Sequence, residues 1–201
     1  MPEGEGIRAF LAIPSDGLWV ESARGLVARL ESSLPRASWT KPSSWHLTLK
    51  FFERISSERL KVFSEAIGAL AAELVPGEIL ADGAVVFPSR GPARVLGVGF
   101  APSPALEEVS SLARQAEAQA GALGLPQEKR AFHPHVTFAR LRSPWPAEAV
   151  ETFRSEVEAW SFPAWQARAC VLYESRLLPE GAVHTPREQW SFIGGPRGVR
   201  A

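Results

Sequence analysis

The chain has 201 residues, of which 45% are hydrophobic and 22% charged, as expected for one globular unit with its own core. Lysine and arginine together number 22, and so do aspartate and glutamate. This balance excludes a basic tail built for a long nucleic-acid contact, so any RNA contact should cover one or a few nucleotides. No apolar run approaches the ~18–20 residues that cross a bilayer. Residues 1–6 lack the apolar segment of a signal peptide, so we expect a cytoplasmic protein.

Strand and helix patterns alternate along the whole chain. Short apolar runs bounded by proline and glycine predict strands, and apolar residues at three- and four-residue spacing predict helices. In chain order, the predicted elements are a strand at residues 7–13, a helix at 23–34, a strand at 46–52, a helix at 60–74, strands at 79–87 and 94–100, a helix at 104–123, a strand at 135–141, a helix at 150–160, and strands at 167–173 and about 190–193. Ser56 or Ser57 is the expected N-cap of the second helix, and Ser103 that of the third. A loop is expected around residues 179–181.

One order of elements occurs twice in this series. A strand, a helix, a histidine-bearing strand and a second helix fill residues 7–74 and again residues 94–160, with no exact sequence repeat. Alternating strands and helices favour layered α/β or α+β folds, and the repeated order favours α+β. Two similar halves usually pack about an approximate twofold axis, so we expect a cleft between them.

Two of the four histidines begin similar tetrapeptides. His46 and His135 each open a segment of the form histidine, apolar, threonine, apolar. Because side chains alternate along a strand, His46 and Thr48 should share one face, and His135 and Thr137 one face of theirs, while the apolar residues point into a core. A single segment of this kind is explained by an ordinary surface or core histidine. Two copies, one in each half, indicate a shared site.

These side chains suit chemistry on a phosphate group. The ordinary pKa of histidine lets it act as an acid or a base near neutral pH. Opening a cyclic phosphodiester needs a base that activates water and an acid that protonates the leaving oxygen. Threonine hydroxyls can hold the non-bridging oxygens. This set of groups requires no metal and no other cofactor.

Other interpretations of the histidines and of the cysteine stay open. His133 and His135 form a His-x-His pair that could bind a metal, although no cluster of carboxylates lies nearby in the sequence. His184 is interpreted as a turn residue, with a place at the edge of the site as the alternative. Cys170 is the sole cysteine, which excludes an intramolecular disulfide, and its apolar surroundings predict a buried strand residue.

Residues 130–140 carry the most specific pattern, His-Pro-His-x-Thr with an arginine on each side. Together with residues 8–13, 45–51 and 94–98, this segment resembles the two-histidine phosphoesterases, and closely the bacterial and archaeal RNA 2′,3′-cyclic phosphodiesterases, also called 2′-5′ RNA ligases. The order and spacing match from about residue 8 to residue 190.

The resemblance implies a single bilobed unit spanning residues 1–201, with two antiparallel-sheet lobes, outer helices and the two motifs facing each other across a cleft. It implies hydrolysis of RNA 2′,3′-cyclic phosphate ends to 2′-phosphates, and in some members a reversible 2′-5′ joining of RNA. The implied partner is an RNA terminus or nucleotide with a cyclic phosphate. We expect a monomer that binds neither a membrane nor a metal.

The resemblance also gives roles to the four motif residues. His46 is expected to be the acid, protonated before substrate binds, and His135 the base. Thr48 and Thr137 are expected to bind the phosphate.

Phe51 and Arg140, each five residues after its histidine, are expected to sandwich the terminal base. Strict alternation would put both on the opposite face from the histidines, so the sandwich requires a bend or bulge in each strand. The alternatives are a core residue for Phe51 and a solvated surface charge for Arg140. Arg130 is expected only as a substrate contact. The chain departs from the family pattern at His184, where tyrosine is frequent, and at Glu53, where glycine is frequent.

The same motifs are compatible with two other functions. One is hydrolysis of another small cyclic phosphate, such as ADP-ribose 1″,2″-cyclic phosphate. The other is a non-catalytic module that binds RNA ends. Turnover of a 2′,3′-cyclic mononucleotide distinguishes an enzyme from such a module.

Overall fold

The computed structural model describes residues 6–179 and 181–194. Within these residues the helices are α1 (Gly17–Ser33), α2 (Ser57–Glu73), α3 (Pro104–Ala122) and α4 (Ala147–Ala159). The strands are β1 (Ile7–Pro14), β2 (Ser38–Trp39), β3 (His46–Ile55), β4 (Gly77–Ile79), β5 (Ala81–Phe87), β6 (Val95–Phe100), β7 (Val136–Arg140), β8 (Trp165–Ala167), β9 (Ala169–Leu178) and β10 (Gly181–Ser191). The acidic residues 1–5 and residue 180 of the expected loop lie outside the described residues. In the described part of the chain, no helix is long and apolar enough to cross a membrane.

The strands form antiparallel sheets. A first sheet has the order β10-β9-β1-β3, a second has the order β2-β7-β6-β5, and β4 pairs with β8. Each four-stranded sheet contains the strand of one motif, here called a histidine strand: β3 begins with His46 in the first sheet, and β7 directly follows His135 in the second. The predicted α+β fold with antiparallel sheets is confirmed.

The apolar residues of the two histidine strands point into the core, as their alternation predicts. Leu47 and Leu49 of β3 are buried, as are Val136 and Phe138 of β7, and all four belong to one contiguous core. Trp19 of α1 is fully buried and lies 6.1 Å from Phe138, measured between ring centroids. The back of each histidine strand is therefore held by close packing.

The helix caps follow the sequence pattern. Ser56 accepts from the backbone N–H of Arg59, and Ser103 from that of Leu106. Helix α1 begins earlier than predicted because the Asp16 carboxylate accepts from the backbone N–H of Trp19 at 2.9 Å.

Several predicted strands have different bounds in the structure: β3 continues to Ile55, and the strand expected at 167–173 is the end of β8 followed by β9. The strand expected at residues 79–87 is two strands, because Ile79 pairs with β8 whereas Ala81 pairs with β6. His135 lies just before β7 rather than within it. The predicted start of the last strand, at about residue 190, was wrong. β10 begins at Gly181 and pairs with β9 along its whole length. Most of β10 is exposed, so its polar residues and its proline gave no strand pattern.

A bulge in β3 reverses its alternation after the histidine motif. Consecutive residues of β1 oppose Thr48 and Lys50, so Leu49 is the extra residue. Phe51 thereby returns to the face that carries His46 and Thr48. The bend that the resemblance required is present in this strand.

A bulge occupies the corresponding place in β7. Consecutive residues of β6 oppose Thr137 and Ala139, which makes Phe138 the extra residue. Phe138 and Ala139 are both buried, and Arg140 is exposed on the face of Thr137. The two bulges therefore occur at the same distance from their histidines.

We predict that Gly97→Ala lowers the free energy of unfolding by about 1–3 kcal/mol, the usual cost of forcing an atom into a packed site. A β-carbon at Gly97 would collide with the carbonyl oxygen of Val136 beside the β7 bulge. Urea denaturation measures the change. Gly17→Ala is the matched control, because a β-carbon there meets nothing within 4 Å. Equal unfolding midpoints for the two variants would contradict the prediction.

Candidate active site

His46 lies in a cluster of rings on one face of the first sheet. Its imidazole stacks on Phe10 of β1 at 4.6 Å between centroids, with an interplanar angle of 21°. Tyr173 of β9 and His184 of β10 approach the same imidazole at 6.2 Å and 5.6 Å. Neighbouring strands thus place four rings together, and they hold His46 in one orientation.

Burial and nearby histidines make protonation of His46 unfavourable. The pKa of His46 is lowered to about 3, chiefly by burial, then by His184 and then by His135. The contribution of His135 indicates that the two motif histidines are near enough to interact electrostatically, although they are 89 positions apart in the sequence.

His135 is oriented by its own segment. Its Nδ1 atom lies 2.7 Å from the carbonyl oxygen of His133. A carbonyl can only accept, so we infer that Nδ1 carries the proton, which leaves Nε2 as the available base. Burial lowers the pKa of His135, and the hydrogen bond to His133 partly opposes that shift. Phe87 lies against the ring at 5.1 Å.

His184 borders the site, as the alternative interpretation proposed. It belongs to β10, and its ring packs edge-on against Phe10 at 4.8 Å. Its Nδ1 atom is buried without a hydrogen-bond partner. Burial lowers the pKa of His184, and the Arg8 charge adds to the effect. The interpretation as a simple turn residue was wrong.

Phe51 is a surface residue in contact with Arg8. The Phe51 ring is 42% exposed, so it is not a core residue, and the Arg8 guanidinium lies 4.5 Å from its centroid. The Arg8 Nε atom is buried without a partner. Arg140 is exposed and close enough to His135 to lower its pKa.

Arg130 is exposed, and its guanidinium pairs with Glu128 at 3.2 Å. The threonines are placed as predicted, each half-buried two residues after its histidine.

Among the described residues, no third side chain joins His133 and His135 to form a metal site. In residues 6–179 and 181–194, no group of three or more histidine, cysteine or acidic side chains could share a metal ion. Cys170 is a buried strand residue, as predicted, and burial raises the pKa of its thiol to about 12.

Several residues of the site gave no chemical signal in the sequence. Phe10 and Tyr173 are ordinary apolar-face residues of their strands until the sheet order brings them beside His46. Thr40 is another, and it links the two motifs: its Oγ1 atom donates to the carbonyl oxygen of Thr137 at 2.8 Å and accepts from Trp45 Nε1 at 2.9 Å.

The family model described as the 2′-5′ RNA ligase superfamily matches residues 14–176. The chain belongs to this superfamily. Its resemblance to the family, based on the two histidine motifs, is therefore confirmed.

Individual relatives of the superfamily match most of the chain. An RNA 2′,3′-cyclic phosphodiesterase of Methanothermobacter thermautotrophicus is 28% identical over 90% of this chain and 97% of its own length. One from Geobacillus stearothermophilus is 27% identical over 77% of this chain but only 49% of its own. A crystal structure of the protein TT0787 from Thermus thermophilus superposes with a TM-score of 0.72 and 26% identity, covering 94% of this chain and 100% of its own.

We predict that His46 makes the stability of the protein pH-dependent. The pKa of His46 is lowered to about 3 in the folded protein from 6.5. The unfolded chain therefore binds a proton at His46 more readily than the folded protein does. The stability that the neutral imidazole contributes is complete above pH 6.5 and is lost as the pH falls toward the folded pKa of about 3. Between about pH 7 and pH 4.5, the free energy of unfolding of the wild type should fall by at least about 1 kcal/mol more than that of His46→Gln. Urea denaturation at the two pH values measures this difference.

His133→Gln is the control for that experiment, because this histidine is exposed on the surface. It should show the wild-type dependence on pH. If His46→Gln also shows the wild-type dependence, the imidazole of His46 is not its source.

Proposed function

We propose that the protein hydrolyses RNA 2′,3′-cyclic phosphate ends to 2′-phosphates, with His46 and His135 as the acid and the base. The observation that carries the proposal is that two half-buried imidazoles lie close enough to interact electrostatically, each with a half-buried threonine two residues further along the chain. The names of the relatives support the same substrate. The chemistry requires no metal.

Each step uses an atom that the site offers. His135 Nε2 takes a proton from water, whose oxygen attacks the phosphorus opposite O3′. The bond from phosphorus to O3′ breaks, and His46 gives its proton to O3′. The hydroxyls of Thr48 and Thr137 donate to the non-bridging oxygens. The product carries a 2′-phosphate and a free 3′-hydroxyl.

One expectation about His46 needs correction. The family resemblance implies that His46 is protonated before substrate binds, but its lowered pKa makes it neutral in the free protein at neutral pH. The reason is burial next to two other histidines, which the sequence pattern does not reveal. An anionic phosphate between the imidazoles favours the charged form, so we propose that His46 gains its proton when the phosphate binds.

The same site supports joining if a hydroxyl replaces water. The 5′-hydroxyl of a second RNA would lose its proton to His135 and attack the phosphorus, and O3′ would leave as before. The product is a 2′-5′ phosphodiester. The superfamily description is consistent with this reaction.

Phe51 and Arg140 are proposed to hold the terminal base. Arg8 covers one face of the Phe51 ring, so we propose that the base stacks on its other face. Arg130 is proposed only as a substrate contact, through its exposed guanidinium. We further propose that the protein works as a cytoplasmic monomer.

We predict turnover of an RNA with a 2′,3′-cyclic phosphate end in buffer that contains EDTA. His46→Ala and His135→Ala should each lower kcat by about 10²–10⁴, the usual effect of removing a general acid or base. Thr48→Ala and Thr137→Ala should lose about ten- to a hundredfold. The measurement is the rate of 2′-phosphate formation, with the product ends mapped.

His133→Ala is the matched control, since it removes an exposed imidazole and keeps the carbonyl that orients His135. It should retain the wild-type rate. Activity that EDTA abolishes and zinc restores would support the metal interpretation of His133 and His135 instead.

We predict that sulfur at the 3′ position of the cyclic phosphate rescues His46→Ala but not His135→Ala. A thiolate leaves with little need for an acid, whereas the attacking water still needs a base. The ratio of rates for the 3′-thio and 3′-oxygen substrates should therefore be far larger in His46→Ala than in the wild type. Rescue of His135→Ala instead would reverse the two roles.

A further inference from the structure

An open pocket of about 400 Å³ lies beside His46, at the end of β3 where the strand begins. It is bounded by the end of β1, the first turns of α1, and the ring cluster of the first sheet. The residues that matter for its chemistry are Ser15, Arg24, Trp45, His46, Tyr173 and His184. Neither threonine of the motifs contributes to this lining, so the pocket adjoins the predicted phosphate site at His46 and extends away from the threonines.

The lining of this pocket favours an anion. Arg24 supplies a positive charge, and no carboxylate contributes to the lining in the described part of the chain. The ion pair of Arg24 with Glu21 measures 3.4 Å between exposed side chains, so it competes weakly with a ligand. His184 adds an imidazole to the lining. A phosphate oxygen would pair with the exposed guanidinium of Arg24.

The order of groups along β3 matches the order of groups on a terminal nucleotide. Phe51, Thr48, His46 and the pocket follow one another toward the start of the strand. Around a ribose, the base on C1′ is followed by O2′, O3′ and then C4′ with its 5′ substituent. If the base lies at Phe51 and O3′ at His46, the next group in line is the 5′-phosphate.

We propose that this pocket binds the 5′-phosphodiester group of the terminal nucleotide, so that the protein selects RNA chain ends over free nucleoside 2′,3′-cyclic phosphates. The proposal rests on the function proposed above and adds a second anion site to it. Arg24 is a binding residue here, and His184 contributes a hydrogen bond through its ring.

The test compares two substrates that differ at one position. Adenosine 2′,3′-cyclic phosphate is assayed beside its 5′-(methyl phosphate) ester, which reproduces the single charge of a phosphodiester. The ester should show a kcat/KM roughly tenfold higher in the wild type, as one charge-assisted hydrogen bond would give, and the gain should lie mainly in KM. Arg24→Gln should bring the ratio close to one, and His184→Phe should lower it while keeping the ring contacts.

Arg29→Gln is the matched control, because Arg29 lies on the same helix with similar exposure, pairs with Glu156 and does not line the pocket. It should keep the wild-type ratio. Equal kcat/KM for both substrates in the wild type would overturn this proposal and leave the proposed function intact. A preference that survives both Arg24→Gln and His184→Phe would place the 5′ group elsewhere. Absence of turnover with either substrate would refute the proposed function and this inference with it.

Discussion

The relative position of the two histidines depends on one hydrogen-bonded link through Thr40. The Trp45 indole donates to Thr40 Oγ1, and Thr40 in turn donates from Oγ1 to the carbonyl oxygen of Thr137 and from its backbone N–H to that of Phe138. Trp45 immediately precedes His46, and Thr137 lies two residues after His135. The link therefore joins the beginning of one motif to the middle of the other, across two separate sheets. Half-buried polar groups satisfied in this way restrain orientation more than they add stability.

Each bulge places two consecutive residues in the interior, and the second of them differs between the two strands. The β3 bulge leaves Leu49 and Lys50 buried in succession, so a lysine side chain enters the core. Its ammonium group is satisfied by Glu117 of α3, at 2.8 Å, and by the carbonyl oxygen of Pro126. A buried ammonium group without partners would be strongly unfavourable. In β7 the corresponding position is Ala139, which needs no such partner, so the two halves share backbone geometry but not the means of stabilising it.

Much of the fold and the centre of the site could be predicted, because they depend on local patterns. The alternation around His46 and His135 predicts the shared faces, and serine caps mark the starts of α2 and α3. What the sequence did not reveal depends on pairings between distant segments. The exposed strand β10 shows no amphipathic pattern, so the place of His184 beside His46 followed only from its pairing with β9. The lowered pKa of His46 arises from that same packing, which no local pattern contains.

The only thiol of the chain lies on β9, opposite Trp190 of β10. A thiol that is buried and protonated reacts with disulfide reagents only after the surrounding strands separate. The rate of its modification therefore reports how often the hairpin that carries His184 opens, and it does so without an added label. The native chain thus contains its own probe of local opening at the edge of the ring cluster. The histidines and threonines of the site do not react with disulfide reagents, so the signal comes from the thiol alone.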